Sequence, residues 1–474
     1  MPRGESKPGN GFSRRGLITA GTASALGLSL PELLAAESLS ERTGKAKSVV
    51  LLYLFGGPPK HELFDPKPKA SEQIRGPFGV IDTDLPGVQF SELVPKMSRW
   101  LHKSTLVRSA THPHNDHSAG LLYTMTGKKA VKLESAVPTL PTQAPCMNSV
   151  LQYLSRNEQR DLPASVWMPC YPGWGQKSHR PGAYAGFLGS QYDPLITTCE
   201  LQETRPRKDF YDASVQKGRI TLPETALPDG MSLGRLDRRR SLLQQVDEDR
   251  NAADEFARLD HFQEQAFDLL TSSNSPNSPW RAFEIADESA SVRELYGRHL
   301  YGESALVARR LIERGVRLVT LYWESFHQRD GDAPAWDTHR NHFNIMKDFR
   351  APVLDQAFDG LCRDLEARGL LDETLVVVMG EMGRTPKPNG GAGRDHWSYN
   401  YDILFTGAGV KHGVVFGESD AIGAYPKSHP VGPEDIIATV YSAMGIDTSA
   451  TIQDTANRPH PIAQHGRPIE GVLA

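Results

Sequence analysis

Cysteine is scarce in this chain. Cys146, Cys170, Cys199 and Cys362 are the only four in 474 residues, and none stand in C-x-x-C spacing. A structural zinc site built on paired thiolates is therefore not indicated. Four cysteines in an oxidising compartment allow three disulfide pairings, and the spacing does not choose among them. Cys362 falls on a helical stretch, where it reads as a small buried hydrophobe. A basic excess is also missing: 53 Lys and Arg stand against 57 Asp and Glu, a formal charge of −4. With no cationic stripe interleaved with aromatics, nucleic acid is not an expected partner. No apolar run is long enough for a stable membrane span in the mature chain. Internal repeats and low-complexity tracts are absent as well.

What is present begins with a leader. Ser13-Arg14-Arg15-Gly16-Leu17-Ile18 is a twin-arginine pattern, followed by a mildly apolar stretch to Leu34 and a small-residue cleavage site at Ala35-Ala36. This predicts a signal peptide over 1–36, a linker over 37–46, and passage through the Tat translocon to a periplasmic or otherwise exported location. Residues 47–474 then read as one domain. Gly (42) and Pro (34) are both somewhat abundant, which implies many loops.

Four apolar runs share one design. Leu51-Leu52-Tyr53-Leu54-Phe55 leads through Gly56-Gly57 to His61, Glu62 and Asp65. Thr105 to Ala110 leads to His112, His114, Asp116, His117 and Ser118. Arg317 to Trp323 is followed after a loop by Asp337, His339 and His342. Thr374 to Met379 runs into Gly380-Glu381-Met382-Gly383-Arg384, with Gly393-Arg394-Asp395-His396-Trp397 nearby. Short β-branched runs read as buried strands, and their carboxyl ends are where open α/β sheets bind ligands. Carboxylates and imidazoles delivered there suit one or two divalent ions: Zn²⁺, Mn²⁺, Mg²⁺ or Ca²⁺.

Strands are expected near 47–55, 105–110, 162–168, 317–323, 374–379 and 401–406. Helices are expected near 118–125, 141–154, 238–272, 290–313, 341–368 and 434–444, and a short strand then a helix within 84–103. This alternation predicts an α/β fold, a three-layer sandwich with a mainly parallel central sheet. Residues 172–240 are irregular and read as an insertion or lid.

The order of these motifs resembles the DUF1501 family. Gly-Gly-Pro…Phe-Asp-Pro-Lys-Pro (56–68), Val-Arg-Ser…His-Asn-Asp-His…Thr-Gly (107–127), Trp-Asp-Thr-His (336–339), Gly-Glu-Met-Gly-Arg-Thr-Pro (380–386) and Gly-Arg-Asp-His-Trp (393–397) carry it. The resemblance implies an alkaline-phosphatase-like fold, two metal positions and a nucleophile at a helix N-terminus. It implies Glu381 as ligand of one metal. For the other it implies His396, Asp337 and His339, with His342 a competitor of His339. Glu62 or His61 falls where a first-strand ligand belongs, whereas Asp65 reads as a turn cap. Counting back from Thr126-Gly127 puts the nucleophile position at His117, with Ser118 one residue on; Ser118, His117 or neither remains open. Since no Cys-x-Pro-x-Arg occurs, formylglycine chemistry is not supported. Arg384 and Arg394 could clamp an anionic substrate or pair with loop carboxylates, and Lys60 has the same two readings. His112 and His114 flank the same loop and either could be a ligand, with a surface position the preferred reading for His112. The implied function is an exported metal-dependent hydrolase of phosphate or sulfate esters, acting on an anionic ester or sulfated glycan. The alternative is a catalytically degenerate member that binds metal or an anionic glycan without turnover. A phosphoglycerate-mutase type is a weaker third reading, which export argues against.

Overall fold

The computed structural model describes residues 46–130, 139–173, 179–202, 217–222, 278–324 and 335–474. The leader, all but the last residue of the linker, and the expected helix 238–272 lie outside them. The apolar runs become one eight-stranded sheet. In chain order its strands are β1 (Ser48–Tyr53), β2 (Ser104–Ala110), β3 (Ser165–Met168), β4 (Leu195–Ile196), β5 (Leu318–Tyr322), β6 (Thr374–Met379), β7 (Tyr401–Gly407) and β8 (Val414–Phe416). Across the sheet they run β8-β2-β7-β6-β1-β5-β3-β4.

β1 lies in the interior of the sheet and pairs in parallel with β6 and β5. All residues of these three strands are buried. Apolar side chains on both faces suit a parallel sheet covered by helices. Only β7 runs against its neighbours, β6 and β2. The other pairings are parallel, so the fold is an α/β sandwich on a mainly parallel sheet, as expected. Because β7 is reversed, its first residue Tyr401 stands beside Ala110, the last of β2. Loops leaving β1, β2, β5 and β6 and the loop entering β7 therefore share one edge.

Among the described residues the α-helices of seven residues or more are α1 (His117–Thr126), α2 (Met147–Leu154), α3 (Ala290–Tyr296), α4 (Leu300–Glu313), α5 (Ala351–Ala367) and α6 (Pro433–Ala443). α5 packs on α4, and α6 packs on α1. Several depart from expectation for local reasons. The helix expected from 141 begins only at Met147, because Pro145 disfavours helical geometry before it. The helix expected over 290–313 is two, since His299 Nδ1 accepts the Gly302 N–H at 2.9 Å and caps a new start. The stretch before α5 widens into a π turn at Met346–Arg350. Pro352 lacks an N–H and crowds the carbonyl one turn back, which favours this widening. The helix expected within 84–103 is a 3₁₀ segment, Met97–Lys103, after a short strand at Gln89–Ser91. The irregular insertion contains β4 and a hairpin of Thr198–Leu201 with Gly218–Thr221. All four cysteines are free, so none of the possible disulfides forms here. No helix among the described residues is long and apolar enough to cross a membrane.

Candidate metal centre at the carboxyl edge of the sheet

The loop after β1 is stitched to its neighbours by backbone. Leu54 N–H donates to Met379 O at 2.8 Å, Trp323 N–H to Tyr53 O at 2.9 Å and Trp336 N–H to Phe55 O at 2.9 Å. Gly56 sits where these loops meet, with φ +108°. A Cβ there would lie 2.4 Å from the Asp337 nitrogen, so only glycine lets the Asp337 loop close on β1. Its N–H donates to Glu381 Oε1 at 2.8 Å. One glycine thus brings the β5 and β6 acids to a common point.

His117, the first residue of α1, joins those acids. Its Nδ1 is 2.5 Å from Glu381 Oε1 and its Nε2 is 3.2 Å from Asp337 Oδ2. Burial alone would lower the imidazole pKa, but Asp337 and Glu381 outweigh it and raise it to about 9. Asp337 Oδ1 also faces His339 Nε2 at 2.8 Å, His396 Nε2 at 3.1 Å and the Arg384 guanidinium. Burial opposes ionisation of Asp337, yet Arg384 and His117 hold its carboxyl well below the usual range.

The second nitrogens of the histidines fix their tautomers. His396 Nδ1 lies 2.7 Å from the Asn115 carbonyl, which can only accept, so Nδ1 carries the proton. With the ring neutral, as its burial favours, Nε2 presents a lone pair to Asp337. His339 Nδ1 likewise faces Asp395 Oδ1 at 2.7 Å, and its Nε2 is 3.1 Å from His396 Nε2. Lone pairs converging at about 3 Å need a proton or a cation between them. Here a proton on His339 serves, its pKa raised by its hydrogen bond to Asp337. His117, Asp337 and His396 each offer one ligand atom, all within 4.8 Å of one another. Glu381 Oε2 is buried without a hydrogen-bond partner among the described residues. The donor set and this orphaned oxygen fit a divalent ion of the zinc or manganese kind. A metal-bound His117 would keep Nδ1–H on Glu381, the usual carboxylate–histidine support of a ligand.

Residues 46–473 match one family model, described as "Protein of unknown function (DUF1501)". The chain belongs to the DUF1501 family. No curated protein matches the sequence. Among solved structures, a sulfatase from Pseudoalteromonas sp. is similar at 11% identity and TM-score 0.40, over 94% of this chain and 76% of that one. A protein of the alkaline phosphatase superfamily from Vibrio parahaemolyticus has 12% identity and TM-score 0.37, over 91% and 71%. A phosphonate monoester hydrolase from Silicibacter pomeroyi has 11% identity and TM-score 0.34, over 90% and 76%.

In this DUF1501 chain Glu62 stands apart from the cluster. Its Oε1 is 2.7 Å from Arg394 Nη2 and its Oε2 is 3.0 Å from His342 Nε2, with all three side chains at 0% exposure. Burial alone would raise the Glu62 pKa, but Arg394 and then His342 lower it to about 2. Arg394 further donates to the Thr385, Pro386 and Ile74 carbonyls. Arg384 donates to Gly56 O, Gly57 O and Arg394 O besides Asp337. Both guanidinium groups thus knit loops together. Lys60 pairs with Asp402 at 3.5 Å and Asp65 at 3.6 Å. Asp65 is a charge hub that also meets Lys67, Arg108 and Ser419. His61 Nε2 is 2.8 Å from Ile422 O.

One expectation about the loop after β2 is corrected. His112 is buried, not on the surface; its Nε2 lies 2.6 Å from Glu381 O, beneath the cluster. The start of α1 does not offer a set of open N–H groups, because Asp116 Oδ1 accepts from Ser118 N at 2.9 Å and Ala119 N at 3.0 Å. An acid immediately before a helix is the normal N-cap signal, so this was readable from the sequence. Ser118 is buried, and its Oγ accepts from Arg180 Nη1 at 2.8 Å. Arg180 was not singled out in the sequence, because nothing local marks one arginine in a loop-rich insertion.

Proposed function

We propose that this chain is a metal-dependent hydrolase of phosphate or sulfate esters. The observation that carries this reading is the convergence of His117, Asp337 and His396 within ligand reach, with Glu381 on the far nitrogen of His117. His117, Asp337 and His396 would hold the ion, His339 would join them on losing its proton, and Glu381 would orient His117 or take a second ion through Oε2. Such an ion supplies Lewis-acid polarisation of a phosphoryl or sulfuryl oxygen. Ser118 Oγ is the proposed attacking group. As its O–P or O–S bond forms, the P–O or S–O bond to the ester's alcohol breaks; the seryl proton passes to solvent, the alcohol takes one from solvent, and water then cleaves the seryl ester to restore Ser118. The substrate would enter past His339 and Asp395, whose side chains are 41% and 51% exposed against 8% for His117. The substrate would be an anionic ester, a sulfated glycan among the candidates, and the site of action periplasmic or otherwise exported by the Tat route.

One observation favours the second reading, binding without turnover. Arg384 already pairs with Asp337, so that carboxylate offers an ion less charge, which favours weak binding over catalysis. Metal analysis of native protein, followed by a turnover screen with generic phosphate and sulfate esters, separates the two. Bound metal with hydrolysis of either ester class supports the hydrolase; bound metal without hydrolysis supports the binding protein.

A further inference from the structure

An anionic ester needs a cationic contact at its transferred group. Arg384 and Arg394 are fully buried and spent on loop carbonyls and carboxylates. Arg180 is placed differently. Its Nη1 donates to Ser118 Oγ at 2.8 Å, and its guanidinium carbon lies 5.4 Å from the centre of the Phe55 ring. That separation is in the cation–π range. The Phe55 ring in turn lies 5.3 Å from the His117 ring and 5.1 Å from the Tyr322 ring. Arg180 is therefore one contact from the candidate nucleophile and two from the histidine that joins Glu381 to Asp337.

The insertion holds Arg180 there by several ties. Its N–H donates to Pro172 O at 2.8 Å. The Tyr171 and His179 rings stack at 4.0 Å and 4°. Gly173 N–H donates to Glu324 Oε2 at 2.8 Å, fastening the start of the insertion beyond the end of β5. Two residues after Arg180, Gly182 has φ +101°, and a Cβ there would come within 3.0 Å of Leu121 Cγ and O. Glycine lets this segment lie directly on α1, the helix that carries Ser118.

We propose that Arg180, with Ser118, forms the subsite that recognises a tetrahedral oxyanion, the phosphoryl or sulfuryl group of the ester, and that Arg180 rather than Arg384 or Arg394 sets the preference for anionic substrates. The guanidinium fork matches two oxygens of such a group. The substrate assignment rests on the hydrolase reading above, but oxyanion binding is measurable without turnover.

The test is calorimetric titration of the full-length protein, as isolated, with inorganic sulfate and with inorganic phosphate. Wild type should bind at least one of them. Arg180→Ala should weaken that binding by at least about tenfold, the scale of a lost charge-assisted hydrogen bond, and Arg180→Lys should recover part of it. Metal content should not change in either variant. Should Arg180→Ala fail to fold, Arg180→Gln carries the same measurement. Wild-type affinity in the alanine or glutamine variant, or no binding of either anion by wild type, overturns the proposal. Arg180-dependent binding in a protein that hydrolyses no phosphate or sulfate ester supports the subsite while removing the hydrolase reading.

Discussion

Removing Glu62 or Arg394 distinguishes a buried structural ion pair from a ligand and a substrate clamp. Glu62 meets Arg394 through Nη2 at 2.7 Å and Nε at 3.1 Å, and both side chains are fully buried. The Glu62 carboxyl is held at about 2 against an ordinary 4.5. At about 1.4 kcal/mol per pH unit this corresponds to about 3 kcal/mol. Breaking one side of a buried pair costs about 3–5 kcal/mol, because the remaining charge is stranded. Arg394→Met and Glu62→Gln should therefore each destabilise by about 3–5 kcal/mol at pH 7, and the double variant by clearly less than the sum. A depressed carboxyl contributes stability that is present above about pH 4.5 and lost as pH falls through about 2. The gap between wild type and Glu62→Gln should accordingly be full at pH 7 and narrow progressively toward pH 2. Urea unfolding followed by tryptophan fluorescence measures it, with metal content determined in parallel. A Glu62→Gln protein of wild-type stability that had lost its metal would refute this reasoning and return Glu62 to the ligand set.

Asp337→Asn and His396→Ala should each remove most of the bound divalent ion, measured by elemental analysis, and lower ester turnover by at least about 10²-fold. Ser118→Ala should lower turnover on that scale while leaving metal content largely intact, whereas His117→Ala should reduce both; wild-type turnover in both variants would point to water as the attacking group. Gly56→Ala should cost about 2–5 kcal/mol through left-handed strain and overlap with the Asp337 backbone, and should scatter the cluster; unchanged denaturation midpoint and metal content would contradict the role given to this glycine.

The strands that build the site were legible because burial on both faces demands uninterrupted apolar runs, and Thr374–Met379 is the plainest case. Their polar sequels were legible too: His117, Asp337, His339, Glu381 and His396 all stand out as acid or imidazole after a strand and a turn, and the fold brings these five together. Helix edges were blurred where Pro352 and His299 act through local geometry that periodicity does not register. Pairing was the part that sequence could not assign. Glu62 follows its strand just as Glu381 does, and Arg394 sits two residues before His396, yet Glu62 and Arg394 are 332 positions apart and meet only because β1 and the β6–β7 loop share an edge of the sheet. Arg180 is the converse case, an arginine without a motif, brought to Ser118 because Gly182 lets the insertion lie against α1. Local sequence determines which residues can be ligands, since that depends on residue type and on the strand or turn holding them. Which buried arginine and which imidazoles a given carboxylate meets depends on contacts between distant segments, and only the tertiary structure decides it.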